Sequence, residues 1–269
     1  MIQMEHLEAV PKEALKREES EVFYLPHHHV TKESTTTKLR VVFDASAKSS
    51  SGLSLNDILL VGPVIQDNLF SILLRFRMHR VALSADIAKM YRQVGLNDED
   101  RDLHRILWRP SKEQPVKQYR MTRVIYGVAS SAFHATRALQ EVGNLCDDPL
   151  LQRTIKRDFY IDDLLTGADS PEEACQLQQE LTAVLASFGM PLRKWTSSNV
   201  TVLQQLDDSM CELTESVFLQ DPTFSIKTLG IRGFPKEDAF TFSTRPLEDS
   251  SNTKRGLLSD TASIFDPVG

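Results

Sequence analysis

The sequence predicts an α+β fold. Short β-prone runs and helix-spaced runs follow one another without regular β-α-β alternation. One run, Phe159 to Leu165, reads as a strand pair turning on two adjacent carboxylates, and no segment repeats along the 269 residues.

The elements follow in order. Residues 1 to about 20 are charged and helix-prone, so they read as a peripheral helix or a frayed lead-in. Tyr24-Leu25-Pro26 begins an extended segment, and Leu39 to Asp44 is rich in β-branched residues and reads as a strand. Ala45 to Leu55 is serine-rich and reads as a loop. Leu69, Ile72, Leu73 and Phe76 have helical spacing within 67–76, and 80–86 is a strand ending on Asp86. Segments 103–109 and 117–122 form a strand pair across Pro110 and Pro115, and 130–142 is helical. After the 159–165 hairpin, Ser170-Pro171-Glu172-Glu173 places an N-cap, a first-turn proline and a capping-box glutamate ahead of a helix that stops at Gly189. An acidic stretch follows Asn199, and 228–242 reads as a second hairpin turning at Pro235 to Asp238.

Hydrophobic content of 41% and charged content of 25% are those of an ordinary globular protein. There is no apolar run of about 18 residues, which predicts no membrane span, and no signal-peptide pattern opens the chain. Three widely spaced cysteines, Cys146, Cys175 and Cys211, favour reduced thiols over disulfides or a zinc site. A net charge of -6 argues against binding nucleic acid by bulk attraction. It leaves room for a local groove lined by Arg75, Arg77, His79 and Arg80 or by Arg101, Arg105 and Arg109; either run also reads as a solvated face. His27-His28-His29 make a poor site for one ion, because adjacent strand residues face opposite ways.

The chemistry concentrates on Tyr160-Ile161-Asp162-Asp163. Hard divalent cations need closely spaced carboxylates on a rigid support, and a hairpin tip supplies both; a surface turn is the plainer reading. Asp86 ends its own strand, as a third metal-site carboxylate or as a cap for the helix after it.

Taken together these residues resemble reverse transcriptases. Tyr160-Ile161-Asp162-Asp163 is similar to their Tyr-x-Asp-Asp signature, and Asp86 with Tyr91 to their first metal-binding motif. Leu39 to Asp44 resembles their nucleotide-gripping fingers strand, and Tyr126-Gly127-Val128-Ala129-Ser130-Ser131 the motif against template and incoming nucleotide. Tyr24-Leu25-Pro26-His27-His28, Ser54-Leu55-Asn56-Asp57, Leu74-Arg75-Phe76-Arg77, Leu192-Arg193-Lys194-Trp195 and Phe265-Asp266-Pro267-Val268-Gly269 look like the Pao (BEL/Pao) class of LTR retrotransposons. Ala132 and Gly233 depart from residues usual there, proline and tryptophan.

The resemblance implies a right-hand polymerase with fingers and palm, an antiparallel palm sheet packed on helices, and a thumb largely missing from a chain cut after the palm, as in a polyprotein fragment. It implies a lead-in over 1–21, fingers and palm over 22–200, and over 201–269 the end of the palm with a primer-grip-like hairpin at Leu229-Gly230-Ile231. It implies two Mg²⁺ ions held by Asp86, Asp162, Asp163 and the Ile87 carbonyl, and primer-hydroxyl attack on a deoxynucleoside triphosphate along an RNA or DNA template. Arg40, helped by Lys38 or Lys32, would hold the triphosphate, or be an ordinary strand cation. Tyr91 would exclude a ribose 2′-hydroxyl, or be a core aromatic. Tyr126 and Gly127 would lie by the base pair. Lys194 would protonate the departing pyrophosphate, or be a structural base beside Trp195. The implied setting is a cytoplasmic retroelement particle or the nucleus. Two other readings stay open: an inactive remnant that binds nucleic acid or a protein partner, and an unrelated two-metal nuclease.

Overall fold

The computed structural model describes residues 6–31, 39–206, 210–211, 226–228, 231–234, 239–242 and 253–263. The chain divides into two compact units: residues 1–65 with 89–139, and residues 66–88 with 140–269. Its strands are β1 (Leu7–Ala9), β2 (His27–Thr31), β3 (Leu39–Phe43), β4 (Val81–Ile87), β5 (Arg105–Trp108), β6 (Lys117–Met121), β7 (Phe159–Tyr160), β8 (Asp163–Ala168), β9 (Leu192–Ser197), β10 (Ile226–Thr228), β11 (Ile231–Phe234) and β12 (Ala239–Phe242). Its helices are α1 (Leu55–Ile58), α2 (Leu69–Met78), α3 (Met90–Gln93), α4 (Ser131–Asn144), α5 (Pro149–Arg157), α6 (Pro171–Ser187), α7 (Val200–Gln204) and α8 (Lys254–Ser263).

The first unit holds the antiparallel sheet β1-β6-β5 and the hairpin β2-β3. Leu7, Leu25, Phe43, Leu55, Ile106, Met121, Ile125 and Val128 close its apolar core. The N-terminal stretch departs from its helical reading. Leu7 to Ala9 are a strand paired with Met121 to Tyr119, because the edge of β6 accepts the backbone and Leu7 drops into the core. The serine-rich loop ends one residue early: Ser54 and Asp57 form a reciprocal capping box that starts α1.

The arginines expected at a surface or groove are partly interior. Asp102 is fully buried, and its Oδ1 accepts from Arg105 Nε at 2.9 Å while Arg17 and Arg120 reach Oδ2 at 3.2 and 3.4 Å. Arg105 also donates to the Ala14 carbonyl at 2.6 Å and to the Tyr24 hydroxyl at 3.3 Å. Arg101 pairs with Glu8 and Asp98. These guanidinium groups are committed to holding the unit together.

The second unit is built on the antiparallel sheet β7-β8-β4-β9, with β4 inside it. Ile72, Leu73 and Phe76 of α2 pack on Leu165 of β8, and α6 packs on β8, β4 and β9. Gly167 lets β8 lie close to its neighbour: a Cβ there would meet the Val81 carbonyl at 2.3 Å. The α6 capping signals hold, with Ser170 accepting from Glu173 N–H and Gly189 at φ +74°. α5 is an addition to the expected elements: Asp148 caps it through the N–H groups of Leu150 and Leu151 and Pro149 opens it. β10, β11 and β12 form an antiparallel sheet, which extends the expected second hairpin by a strand. Residues 229–230, the 235–238 turn and 264–269 lie outside the described residues.

Arg75 fastens α2 to the hairpin that carries the paired carboxylates. It donates to Asp158 Oδ1 at 3.3 Å, to the Arg157 carbonyl, and meets Asp67 at 2.9 Å. Asp158 also accepts from the Thr166 hydroxyl at 3.0 Å.

Asp102→Ala strands the Arg105 and Arg120 guanidinium groups in the interior and should cost about 3–5 kcal/mol in urea-induced unfolding. Burial lowers the pKa of His79 and of His104 below the ordinary 6.5. The folded state then binds fewer protons than the unfolded one below pH 6.5, so their stability contribution is full above 6.5 and lost as pH falls. The urea midpoint should drop between pH 7 and about 5.5, and His104→Gln should flatten that drop.

Candidate active site

Asp86 is the penultimate residue of β4 and stands directly opposite Asp163 of β8. Directly opposed residues of an antiparallel pair share a face. Ile161 and Asp162 form the two-residue turn between β7 and β8, since Tyr160 pairs with Asp163. Two bonds fix this tip: Ile87 N–H donates to the Asp162 carbonyl at 2.8 Å, and Ile161 N–H to Gln66 Oε1 at 3.1 Å. Ile161 is left-handed at φ +57°, which a β-branched residue resists.

The electrostatics are one-sided. Asp86 Oδ2 accepts from Lys194 Nζ at 2.8 Å. Asp86 Oδ1 is buried with no hydrogen-bond partner. Burial pushes the Asp162 carboxyl above its ordinary range; the Asp86 charge adds to this, while a backbone hydrogen bond and Lys194 oppose it. A buried carboxylate oxygen lacking a donor, beside a second half-buried carboxylate, is what a hard divalent cation satisfies. Among the described residues no three His, Cys, Asp or Glu side chains converge on a closed cage. Mg²⁺ does not need one: it is commonly held by one or two carboxylates with water and substrate phosphate completing the shell. The residues present therefore fit a divalent metal.

Lys194 reaches Asp86 because β9 is irregular there. Ser84 pairs with Thr196 but Asp86 with Arg193, so Ala85 faces two residues, Lys194 and Trp195. Lys194 takes φ +54° in this bulge.

The remaining expected site residues belong to the first unit. Tyr91 of α3 is 9% exposed, and its ring centroid lies 4.4 Å from that of the half-exposed Tyr126, tilted by 49°. Gly127 has φ +94°, and a Cβ there would lie 2.3 Å from the Phe43 carbonyl of β3. Asn56 braces the same loop from both sides: its amide donates to the Gly127 carbonyl at 3.0 Å and its Oδ1 accepts from Ala129 N–H at 2.8 Å. Sequence reasoning gave Asn56 no role, although it lies in the Ser54-to-Asp57 run. Arg40 is exposed on β3, paired across the hairpin with Val30. Lys38 and Lys32 lie outside the described residues. Thus Asp86, Ile87, Asp162, Asp163 and Lys194 gather in one unit, and Tyr91, Tyr126 and Gly127 in the other. The histidine run lies on β2, where His27 sits 6.1 Å from the Phe43 and Trp108 rings while His28 and His29 are exposed. No helix is long and apolar enough to cross a membrane among the described residues.

The family described as reverse transcriptase (RNA-dependent DNA polymerase) matches residues 30–231. No curated protein matches the chain. Among solved structures, a foamy viral protease-reverse transcriptase dRH in complex with double-stranded DNA is similar over 97% of this chain and 37% of its own, at 14% identity and a TM-score of 0.64. A prototype foamy virus protease-reverse transcriptase mutant is similar over 71% of this chain and 21% of its own, at 17% identity and a TM-score of 0.52. The chain thus spans well under half of either viral chain, and the likeness is one of fold: antiparallel sheets with helices packed on them, as in a polymerase.

Gly127→Ala should strain the loop twice, through its positive φ and through the clash with Phe43. The expected cost is about 2–4 kcal/mol in urea unfolding. Gly52, with φ +80° and open space around it, gives the comparison: Gly52→Ala should cost only about 1 kcal/mol.

Proposed function

Since the chain belongs to the reverse transcriptase (RNA-dependent DNA polymerase) family, we propose that it carries the polymerase centre of a Pao (BEL/Pao) type LTR retrotransposon polyprotein, joining deoxynucleotides to a primer 3′-hydroxyl along an RNA or DNA template. The observation that carries the reading is the orphaned Asp86 Oδ1 beside the raised Asp162 carboxyl. The Pao-like runs around Tyr24, Ser54, Leu74 and Leu192 support the subtype. In this reading residues 22–200 are fingers and palm, 1–21 a lead-in, and 201–269 the end of the palm. The chain works in a cytoplasmic retroelement particle or in the nucleus.

Asp86 and Asp162 would hold two Mg²⁺ ions, with Asp163 supporting and the Ile87 carbonyl contributing. When bound, the ions neutralise phosphate charge and ease loss of the hydroxyl proton. The residues do the rest by position. Arg40 grips the triphosphate with its planar guanidinium, aided by Lys38. Tyr91 offers an aromatic edge that a ribose 2′-hydroxyl would strike, with the Tyr126 ring keeping it in place. Gly127 brings backbone rather than side chain to the nascent base pair. Lys194 gives a proton to the departing pyrophosphate.

Primer extension on an RNA template with Mg²⁺ and deoxynucleotides tests this. The wild type should extend, and Asp162→Asn should lower the rate by at least about 100-fold. Undiminished extension by that variant would sink the mechanism. Salt-dependent binding of an RNA–DNA duplex without extension would favour an inactive binding remnant, and substrate degradation without deoxynucleotides a nuclease.

A further inference from the structure

We propose that Lys194 is the counter-cation that pairs with Asp86 whenever no divalent ion is bound, seated there by the bulge in β9. Its ammonium leaves Asp86 when a divalent cation binds, so that metal loading and release of the amine are one exchange. The inference rests on reading Asp86 and Asp162 as metal ligands.

Regular alternation along β9 would point Arg193 and Lys194 to opposite faces. Instead both are exposed while Leu192 and Trp195 are buried, so the alternation slips by one residue at the bulge. The extra residue turns the lysine to the side of the sheet end where Asp86 lies, and Nζ reaches Oδ2 at 2.8 Å. The left-handed position in such a bulge is ordinarily a glycine's, yet a lysine fills it at φ +54°. An L-residue there is strained, so the bulge is an unfavourable way merely to continue a strand.

Arg193 faces Asp86 in the register, but its guanidinium turns to Met210, with Nη1 2.9 Å from Sδ. The ammonium is therefore the group brought to Oδ2, while Oδ1 stays without a donor. The amine meets one of the two carboxylate oxygens. A divalent ion offers the same pair more charge and more coordination positions. The lysine side chain is 46% exposed, which gives it an open path away from the sheet. A compact, strongly hydrated ammonium on a flexible stem is easily exchanged, whereas a bidentate guanidinium in its place would resist displacement. Once off Asp86, the same amine is free to meet a departing phosphate, which ties its proposed acid role to the loaded state.

The experiment is direct Mn²⁺ binding to the purified chain, followed by the electron paramagnetic resonance of free Mn²⁺, without nucleotide or nucleic acid. Wild type, Lys194→Met, Lys194→Gly and Asp162→Asn are compared. Lys194→Gly removes the amine while relieving the left-handed backbone, so it keeps the test open should the methionine variant fold poorly. Both lysine variants should bind Mn²⁺ about threefold to tenfold more tightly than wild type, and the metal-free melting midpoint of Lys194→Met should fall. Wild-type binding that Asp162→Asn weakens, but that neither lysine variant tightens, overturns the exchange and leaves the metal reading standing. No Mn²⁺ binding by wild type or by either lysine variant overturns the metal reading and the exchange with it.

Discussion

Like charge gathered at the end of one strand is the constraint on which the second unit depends. Asp86 stands opposite Asp163 across β4 and β8, Asp162 lies in the adjoining β7–β8 turn within reach of the Asp86 charge, and nothing apolar can satisfy them. Each neighbouring device holds them in spite of repulsion and partial burial. The tip is tied to β4 through Ile87 and to Gln66, and the hairpin base is tied to α2 through Arg75 and Asp158. The energy for this comes from elsewhere in the unit, where α2 and α6 bury Ile72, Phe76, Leu165, Leu177, Leu181 and Leu185. A sheet packed this way can carry a local electrostatic cost of a kcal/mol or two, in the order-of-magnitude sense in which strained functional sites are sustained by their surroundings.

The first unit uses buried charge for a different end. Asp102 collects three arginines and fixes β5, β6 and the N-terminal segment around one carboxylate. That network is fully paired, so it holds its shape without inviting a ligand. Asn56 and Gly127 do comparable work at smaller scale. One amide side chain and one missing Cβ set the backbone path of the loop that carries Tyr126.

Local chemistry was legible in the sequence wherever it stays local. Ser170, Pro171, Glu173 and Gly189 mark α6 because capping is settled within a few residues. The strand ending on Asp86 and the hairpin at Asp162 are legible for the same reason. The same cap-and-proline signal stands at Asp148-Pro149, where the helix it opens is only nine residues long and gives little periodicity to support it. Other features depend on partners distant in sequence. Leu7 to Ala9 become a strand only because β6 offers an edge. The burial of Arg105 depends on Asp102 and on the Ala14 carbonyl, 91 residues away. Lys194 and Asp86 are 108 residues apart, and no periodicity announces a bulge that joins them. The fold class was therefore readable, whereas which cations are structural and which serve the carboxylates was not.

Lys89, Ile161 and Lys194 all adopt left-handed backbone, at φ +54°, +57° and +54°. They lie three residues after Asp86, immediately before Asp162, and in contact with Asp86. Laboratory evolution that scores only heat resistance would find these positions early, because glycine or asparagine there relieves about 1–2 kcal/mol at a stroke. Such lineages would grow hardier while loosening the turn and the bulge that shape the acidic end of the sheet. A selection meant to harden this protein without altering its site should therefore hold the codons of Ile161 and Lys194 fixed and let the rest of the chain vary.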